Sequence, residues 1–320
     1  MKKIRIGTRG SKLALWQANH IKNLLEDHNK DISFELVIIK TSGDKILDTA
    51  LSKIGDKGLF TKELENALLN NEIDLAVHSM KDVPTNLDER LYISTITKRE
   101  VSNDIFISNK YKTIEEMPEK STIGTSSLRR KAQLANFRKD LDFIDIRGNV
   151  DTRLQKLDNN EYDAIILAYA GVYRLGLNNR ITQKIPFEIS LPAVGQGAIG
   201  IEIRVNDDFT QKAIHKINDL ETFFCVSIER VFMNKLEGGC QIPIACQTFF
   251  DKNNLIIKAL VSDINGNKVI KEELAKNLTL TEVLAMDKEK LEILIKEIGN
   301  EISDKIIKSG GLEIIKGLRN

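Results

Sequence analysis

The sequence predicts an α/β protein of two or three domains. Short apolar segments such as Lys3–Thr8 and Ala164–Ala168 alternate with segments whose apolar residues recur every three to four positions. Such alternation is typical of βαβ units, in which the strands form a parallel sheet. The chain has 320 residues, which is more than a single hydrophobic core usually serves.

The first α/β pattern spans residues 1–99. Ser11 marks a helix start, because a serine oxygen accepts a backbone N–H at a helix N-terminus. The segment DLAVH is short and apolar enough for a buried strand. The predicted elements are the strand Lys3–Thr8, the helix Lys12–Asp27, the strand Phe34–Lys40, the helix Lys62–Asn70 and the strand Asp74–His78.

The second pattern spans residues 100–195, and either Ser126 or Ser127 caps its first helix, which is expected over SSLRRKAQLANF. Small-residue turns and a further strand follow in LPAVGQGAIGIEIR, so we expect residues 196–217 to return to the first domain. Domains interleaved in this way leave a cleft between them. The remaining predicted elements are the strand Phe143–Arg147, the helix Asp151–Leu157 and the strand Ala164–Ala168.

The last part, residues 218–320, predicts a small α+β domain. The strands Leu255–Val261 and Lys268–Leu274 flank an Asn-Gly pair at Asn265–Gly266, which is a hairpin signal. An amphipathic helix is expected over Leu284–Lys308.

The composition excludes several classes of protein. Forty-seven Lys and Arg against 46 Asp and Glu give a net charge of +1, without the basic excess of a non-specific nucleic-acid binder. The basic N-terminus lacks the apolar core of a signal peptide, and no apolar run reaches membrane-spanning length. The three cysteines have no metal spacing. We expect a cytoplasmic protein that binds neither nucleic acid, membrane nor metal.

Six arginines lie where predicted strands meet helices. The carboxyl ends of strands are where open α/β sheets bind ligands, and helix N-termini favour anions. Arginine suits carboxylates and phosphates, because its planar fork donates two parallel hydrogen bonds. An ordinary surface position explains any single arginine, but the set favours an anion site. Its members are Arg9, Arg129, Arg130, Arg147, Arg153 and Arg174.

The segment HSMKDVP (78–84) places a hydroxyl, an amine and a carboxylate on one turn after a strand. Lys81 and Asp82 are either a surface ion pair or catalytic groups. An aspartate beside cations stays ionised at neutral pH, so Asp82 suits stabilising a developing cation. His78 is expected to be a packed strand residue.

Two further loops are candidates. GDKGLF (55–60), with Lys53 nearby and Lys57 and Phe60 within it, is either a mobile loop over a charged ligand or an ordinary surface loop. In LEGGCQIPIA, Cys240 follows two glycines and is the cysteine we select as a nucleophile or attachment point. Cys225 and Cys246 have apolar neighbours and are expected to be buried.

These segments together resemble one family, porphobilinogen deaminase, also called hydroxymethylbilane synthase. The matching strings are IGTRGSKLALWQA, TSGD, GLFTKELE, DLAVHSMKDVP, GTSSLRR, IRGNVDTRL, LPAVGQGAIGIE and ERVFMNKLEGGCQIPIA. They run from residue 5 to about residue 246. Tyr169 and the segment Phe223–Cys225 depart from the commonest form, but neither departure removes a charged site residue.

The resemblance implies a transferase of haem and tetrapyrrole biosynthesis that acts as a monomer. Its fold is two periplasmic-binding-protein-like α/β domains with the active cleft between them, and a small α+β domain. It condenses four porphobilinogen molecules head to tail into hydroxymethylbilane and releases ammonia at each step. The chain grows on a dipyrromethane cofactor that the resemblance places on Cys240.

The resemblance also assigns roles. Asp82 is the catalytic residue, which binds pyrrole N–H groups and stabilises the azafulvenium cation. Cofactor-binding roles fall on Ser79, Lys81, Asp82, Asp104, Thr125, Ser127, Arg129, Arg130, Arg147, Gly148, Gln196 and Cys240. Substrate-binding roles fall on Arg9, Ser11, Gln17, Lys53, Lys57, Phe60, Arg147, Arg153 and Arg174.

Two other classes of protein compete with this interpretation. A non-catalytic anion-binding protein would share the cleft and the arginines, but it would have no use for Cys240. A phosphate-handling transferase would need a glycine-rich phosphate loop, and the sequence contains neither GKS/T nor GxGxxG. The mass of the purified protein separates a porphobilinogen deaminase from both of these classes, because only the deaminase carries a covalent dipyrromethane.

Overall fold

The computed structural model describes residues 2–45, 58–236 and 242–319. Within these ranges the strands form three β-sheets. The strands are β1 (Lys2–Thr8), β2 (Ile32–Ile38), β3 (Leu75–Ser79), β4 (Leu91–Ile96), β5 (Asp104–Ile107), β6 (Thr122–Gly124), β7 (Asp142–Ile144), β8 (Ala164–Ala168), β9 (Gln183–Lys184), β10 (Ile199–Arg204), β11 (Ile244–Asp251), β12 (Asn254–Ser262) and β13 (Val269–Asn277).

The helices cover these sheets. In chain order they are α1 (Lys12–His28), α2 (Ser42–Lys45), α3 (Lys62–Leu69), α4 (Leu128–Phe137), α5 (Val150–Asp158), α6 (Tyr169–Arg174), α7 (Asp208–Ile214), α8 (Leu220–Lys235), α9 (Leu280–Leu284), α10 (Lys288–Lys308) and α11 (Gly311–Arg319). Among the helices of the described ranges, none has both the length and the apolar character needed to cross a bilayer.

The described residues group into two compact units. The first unit holds the described parts of 1–100 together with 197–223, and its sheet has the order β2-β1-β3-β10-β4. β1 runs parallel to both β2 and β3, whereas β10 runs antiparallel to β3 and β4. The strand after LPAVGQG thus returns to the first sheet, as the sequence predicts.

Helix α1 shows how local sequence and packing agree in this unit. Ser11 is its N-cap and accepts the backbone N–H of Ala14 at 3.3 Å. The buried face of α1, which includes Ile21 and Leu25, packs with Ile4 of β1 in one apolar cluster. Full burial of such a side chain contributes about 1.5–3 kcal/mol, so this face holds α1 on the sheet.

The second unit holds residues 101–196 and the described part of 224–319. Its first sheet has the order β7-β6-β8-β5-β9, with β6 parallel to β7 and β8, and β5 antiparallel to β8. Apolar clusters cover both faces of this sheet; Phe106 belongs to one cluster and Ile105 to the other. Ser127, not Ser126, caps α4, because its side chain accepts the backbone N–H of Arg130.

The third sheet, β11-β12-β13, is antiparallel throughout. The predicted hairpin is present, but its loop spans residues 263–268 and is longer than a two-residue Asn-Gly turn. Asp263 shapes this loop by accepting the backbone N–H groups of Asn265, Asn267 and Lys268. Gly266 has φ +71°, which a glycine adopts without strain.

Several predicted boundaries are wrong by two or more residues. β2 is Ile32–Ile38 and not Phe34–Lys40, and β13 ends at Asn277 and not at Leu274. The helix expected over Leu284–Lys308 is interrupted, because α9 ends at Leu284 and Asp287 caps a new helix by accepting the N–H of Lys290. The strand expected over Phe143–Arg147 ends at Ile144, so Arg147 lies in the loop before α5 and not at a strand end. Boundaries depend on local capping, which the apolar pattern does not report.

Candidate active site

In the first unit, the predicted residues gather at the carboxyl edge of the sheet. β1 and β3 are parallel neighbours, so the residues that follow them emerge side by side. Arg9 and Ser11 follow β1, and the Ser79–Asp82 turn follows β3. Gln17, from the buried face of α1, donates its Nε2 to Ser79 Oγ at 2.8 Å. This bond connects two residues that the resemblance assigns to different ligands.

The Ser79–Asp82 turn has a defined shape. Met80–Asp82 form one turn of 3-10 helix, and the N–H of Met80 donates to Ala198 O at 3.0 Å. Met80 is buried beneath the turn, where a side chain at Gly200 would overlap its sulfur. Lys81 and Asp82, which follow Met80 directly, are partly exposed. Burial of Met80 therefore fixes the turn and leaves the amine and the carboxylate partly exposed.

Arg9 is held over an aromatic ring. Its guanidinium carbon lies 4.1 Å from the centroid of the Phe60 ring, a cation–π contact. The ring of Phe60 also lies against Gly43, where any side chain would overlap it. The N–H of Gly43 donates to Leu59 O at 2.9 Å, which holds the two segments together. Phe60 thus restricts the orientation of the guanidinium.

In the second unit, the carboxyl ends of β6 and β8 and the amino end of β5 share one edge of the sheet. Asp104, the first residue of β5, pairs with Ala168, the last residue of β8. Thr125 follows β6, and its Oγ1 accepts the N–H of Ser127 at 3.3 Å. Arg129 and Arg130 then lie in the first turn of α4. The GTSSLRR segment is thereby brought onto Asp104.

Asp104 is the centre of a buried ion cluster. Arg129 binds it through two nitrogens, at 2.7 Å to Oδ2 and 3.1 Å to Oδ1, and Arg130 Nε donates to Oδ1 at 2.9 Å. Ser190 Oγ donates to Oδ2 at 2.9 Å, and Gln196 Nε2 donates to Oδ1 at 3.0 Å. Asp104 is completely buried. It therefore orients the two arginines, and protein groups occupy both of its oxygens.

The backbone completes the cluster. Arg129 Nη1 also donates to Leu191 O at 2.5 Å, and Arg130 Nη1 donates to Ile166 O at 3.0 Å. Both guanidinium side chains are less than a tenth exposed. Within the described cluster, two guanidiniums share one carboxylate, so the net charge is +1. A buried site with surplus positive charge favours a further anion.

The cluster has a clear protonation state. Burial alone raises the pKa of Asp104, but attraction to Arg129 and Arg130 outweighs burial and holds the pKa well below its usual range. Burial lowers the pKa of the Arg130 guanidinium, and the neighbouring Arg129 lowers it further, while Asp104 opposes both effects. Arginine nevertheless remains protonated at neutral pH, because its ordinary pKa is the highest among the titratable side chains.

The remaining arginines of the second unit come after β7 and β8. Both strands run parallel to β6, so their carboxyl ends lie at the same edge of the sheet. Arg153 Nε donates to Gly148 O at 2.8 Å, which curls the IRGN loop over the start of α5. Gly148 has φ +109°, and a side chain there would crowd Thr152. Arg174 ends α6 and is mostly buried. Arg147 and Arg153 are partly exposed and so can reach a ligand.

His78 and Glu202 form a buried pair that lies beside the Ser79 turn. His78 Nε2 lies 2.9 Å from Glu202 Oε2, and both side chains are almost fully enclosed. Burial raises the pKa of the nearby Glu65 carboxyl, and the charge of Glu202 adds to this effect. The prediction that His78 is a packed strand residue is confirmed.

Sequence reasoning missed three residues of these sites. The alternation in GIEIR does not reveal Glu202, because a glutamate between isoleucines is also typical of a strand with one solvent-facing side. Ser190 and Gln133 had no signal either. Gln133 accepts the N–H of Leu191 at 2.8 Å and returns its Nε2 to Leu191 O at 3.0 Å. The contact between Gln133 and Leu191 joins residues that are far apart in the sequence, so only the folded structure reveals it.

Three predicted site residues, Lys53, Lys57 and Cys240, lie outside the described residues. The other two cysteines are described: Cys225 and Cys246 are buried, as predicted. Groups of His, Cys, Asp and Glu able to hold a metal ion are absent from the described ranges.

Solved structures similar to this chain include two solute-binding proteins. A crystal structure of a putative methionine-binding lipoprotein from Bacillus subtilis has a TM-score of 0.44 and 14% identity, and the match covers 68% of this chain and 90% of that one. The substrate-binding domain of a putative molybdenum ABC transporter from Clostridium difficile has a TM-score of 0.42 and 10% identity, covering 70% and 96% of the two chains.

Sequence comparisons are more specific. The family model "Porphobilinogen deaminase, dipyromethane cofactor binding domain" matches residues 4–212, and "Porphobilinogen deaminase, C-terminal domain" matches residues 223–304. The porphobilinogen deaminase of Chlorobium phaeobacteroides is 44% identical over 99% of this chain and 98% of its own. That of Carboxydothermus hydrogenoformans is 45% identical with the same coverage. The chain therefore belongs to the porphobilinogen deaminase family.

Proposed function

We propose that this chain condenses four porphobilinogen molecules head to tail into hydroxymethylbilane, with release of ammonia, on a dipyrromethane attached to Cys240. The observation that carries the proposal is the buried Asp104 cluster, in which Arg129 and Arg130 leave a surplus positive charge at the ligand-binding edge of the sheet. Pyrroles bearing acetate and propionate groups supply the anions that such a site requires.

The donor set fits the cofactor. A dipyrromethane carries several carboxylates and two pyrrole N–H groups, so it needs cationic or hydroxyl donors and one anionic acceptor. Arg129, Arg130 and Lys81 supply the cations and Asp82 supplies the acceptor. When bound, the dipyrromethane supplies the pyrrole carbon to which the first substrate is joined. We further propose cofactor-binding roles for Ser79, Thr125, Ser127, Arg147, Gly148 and Gln196, and a role through the arginines for Asp104.

The substrate is held by charge. Each porphobilinogen brings two carboxylates, and a charge-assisted hydrogen bond contributes roughly 1.5–3 kcal/mol. Arg9, restricted by the Phe60 ring, is one donor, and the partly exposed Arg153 is another. Several such bonds per ring hold the substrate without a large apolar pocket. The substrate-binding set we propose is Arg9, Ser11, Gln17, Lys53, Lys57, Phe60, Arg147, Arg153 and Arg174.

Asp82 is the group to which we assign the chemistry. It stands on a turn fixed by the buried Met80, at the edge where Arg9 and Ser11 also emerge. As ammonia leaves the aminomethyl carbon, positive charge develops on the pyrrole of the substrate. A fixed carboxylate that accepts the pyrrole N–H stabilises this charge without reorganisation. The same carboxylate can hold the proton that is lost when the new ring regains its aromaticity.

Intact mass spectrometry tests the proposal. The purified protein should exceed its sequence mass by one dipyrromethane, and Cys240→Ser should abolish the excess and the activity. Cys246→Ala is the matched control, because Cys246 is completely buried and should not affect attachment. An active protein of unmodified mass would refute the assignment of Cys240. We also expect a cytoplasmic monomer, for which light scattering after size exclusion is the direct measurement of oligomeric state.

A further inference from the structure

Helix α8 contains a fully buried carboxylate with two backbone partners. Glu229 Oε2 accepts the N–H of Gly195 at 2.8 Å, and Oε1 accepts the N–H of Thr248, also at 2.8 Å. Its side chain is completely enclosed. Burial of an ionised carboxylate is costly unless hydrogen bonds compensate it. These two bonds therefore fix the helix, the loop before β10 and strand β11 to one another.

The first partner leads back to the arginine cluster. Gly195 belongs to the segment 190–196, whose ends bind that cluster: Ser190 Oγ donates to Asp104, and so does Gln196 Nε2. Leu191 O receives Arg129 Nη1 between them. Glu229 is thus joined to the guanidinium pair through a segment of seven residues that is bonded at both ends.

That segment is too constrained to absorb a displacement. Gly195 has φ +69°, and the N–H of Gln196 donates to Ala193 O at 2.9 Å in the same turn. Leu191 packs with Ala245 of β11 and Leu260 of β12 in an apolar cluster, so apolar contact supports the same connection. A movement of α8 would therefore be transmitted to the arginines.

The second partner, Thr248, lies on the other side of the cofactor's attachment point in the sequence. α8 ends at Lys235 and β11 begins at Ile244, so the chain between them carries Cys240. Glu229 binds the helix before Cys240 to the strand after it, and binds both to the segment that holds Arg129. A tethered cofactor reaches its charge partners only if this spacing is correct.

We infer that Glu229 is a positioning residue for the cofactor, which fixes the two elements flanking Cys240 relative to the Arg129–Arg130 pair. This inference rests on the proposed function. Glu229 does not touch the cofactor in this role; it acts through the backbone of Gly195 and Thr248. The carboxylate is suited to it, because both oxygens accept hydrogen bonds and neither requires a donor.

Glu229→Gln is the primary test. The amide keeps the size of the side chain but places an NH₂ group against one of the two backbone N–H groups. The folded fraction is isolated by size exclusion, and its cofactor content is measured by intact mass. We expect its cofactor occupancy, or the rate at which the cofactor is attached, to be about ten-fold lower than that of the unaltered protein. Those molecules that do carry the cofactor should keep the KM for porphobilinogen, because the substrate arginines are unchanged.

Asp163→Asn is the matched control. Asp163 also accepts a backbone N–H, from Thr122 at 2.9 Å, and joins separate segments, but it precedes β8 and so lies at the opposite edge of the sheet. It should lower the urea midpoint without lowering occupancy. Equal loss of occupancy in both variants at equal stability would overturn the inference, because general destabilisation would then explain the effect.

A second variant covers the case in which Glu229→Gln does not fold. Gly195→Ala leaves α8 intact and strains only the turn that presents the N–H to Glu229, so it should also lower occupancy. Wild-type occupancy and turnover in a folded Gly195→Ala or Glu229→Gln protein would refute the positioning role. Failure of the proposed function looks different, because the unaltered protein would then carry no dipyrromethane at all.

Discussion

Replacement of Asp104 by Asn is the sharpest test of the arginine cluster. The carboxylate receives both guanidiniums, Ser190 and Gln196 while completely enclosed. Asn has the same shape, but it carries no charge and offers one acceptor oxygen where two are used. Its amide nitrogen would face guanidinium donors. Asp104→Asn therefore leaves Arg129 and Arg130 buried without a compensating charge.

The size of the effect follows from this geometry. Removal of one partner of a buried ion pair costs about 3–5 kcal/mol, because the remaining charge stays desolvated. Here one carboxylate serves two guanidiniums, so we expect the free energy of unfolding to fall by at least that range. The cofactor should also be held less firmly, since its two proposed cationic partners lose their orientation.

Urea denaturation followed by circular dichroism measures the loss of stability, and intact mass measures the cofactor. Asp140→Asn is the comparison variant, because Asp140 also pairs with an arginine, Arg138, but does so near the surface. It should change the urea midpoint far less, as exposed pairs generally do. A loss below about 1 kcal/mol for Asp104→Asn would show that the cluster is not an ion pair of the kind described.

The pH dependence of this difference has a defined sign. The pKa of Asp104 is depressed in the folded protein, so its stabilisation is fully present above the unfolded pKa, which is about 3.9. The difference in unfolding free energy between the parent and Asp104→Asn should be constant from neutral pH down to about pH 4. Below that it should shrink, because the carboxyl of the unfolded protein takes up its proton first, and the loss is complete when the folded carboxyl is protonated as well. A difference that grows towards acid pH would contradict this reasoning.

Three other variants have distinct expected results. Asp82→Asn should keep the cofactor by intact mass but lose about a hundred-fold or more in turnover, measured as ammonia release; near-normal turnover would exclude its assigned role. Phe60→Leu removes the ring beneath Arg9 and should raise KM about two- to five-fold with kcat nearly unchanged. This change in KM is the equivalent of about 0.5–1 kcal/mol. Phe60→Tyr, which keeps an aromatic ring, should have the KM of the unaltered protein. Gly200→Ala should crowd the buried Met80, lower stability by roughly 1–3 kcal/mol and reduce turnover; a stable, fully active variant would show that the turn adapts.

The local elements were predictable because local signals specify them. Strand β8 occurs at Ala164–Ala168 as predicted, and α1 differs from its predicted bounds by one residue. Buried strands and amphipathic helices are short-range patterns of apolar residues. The errors occur where the pattern has no information: Asp287 starts a new helix inside a continuous amphipathic stretch, and Arg147 lies beyond its strand.

The position of the two clustered arginines was also predictable. Arg129 and Arg130 were expected in the first turn of a helix after a strand, and α4 places them there. Their partner was not predictable from spacing. Asp104 is 25 residues away in the sequence and reaches them only because β5 runs antiparallel to β8, which brings its amino end to the carboxyl edge of the sheet.

The sequence by itself determined the α/β class, the family and the residue types that we propose for binding a polycarboxylate, because these follow from apolar periodicity and from motifs read along the chain. Only the tertiary structure decided which charges pair inside the protein, as Asp104 does with Arg129 and Arg130. Asp104, the Ser190–Leu191 pair and Glu229 are distant from one another in sequence, and burial makes their contacts strong only once the sheet and α8 have brought them together. The strength of an ion pair depends on the distance between the two charges and on their burial, and the tertiary fold sets both.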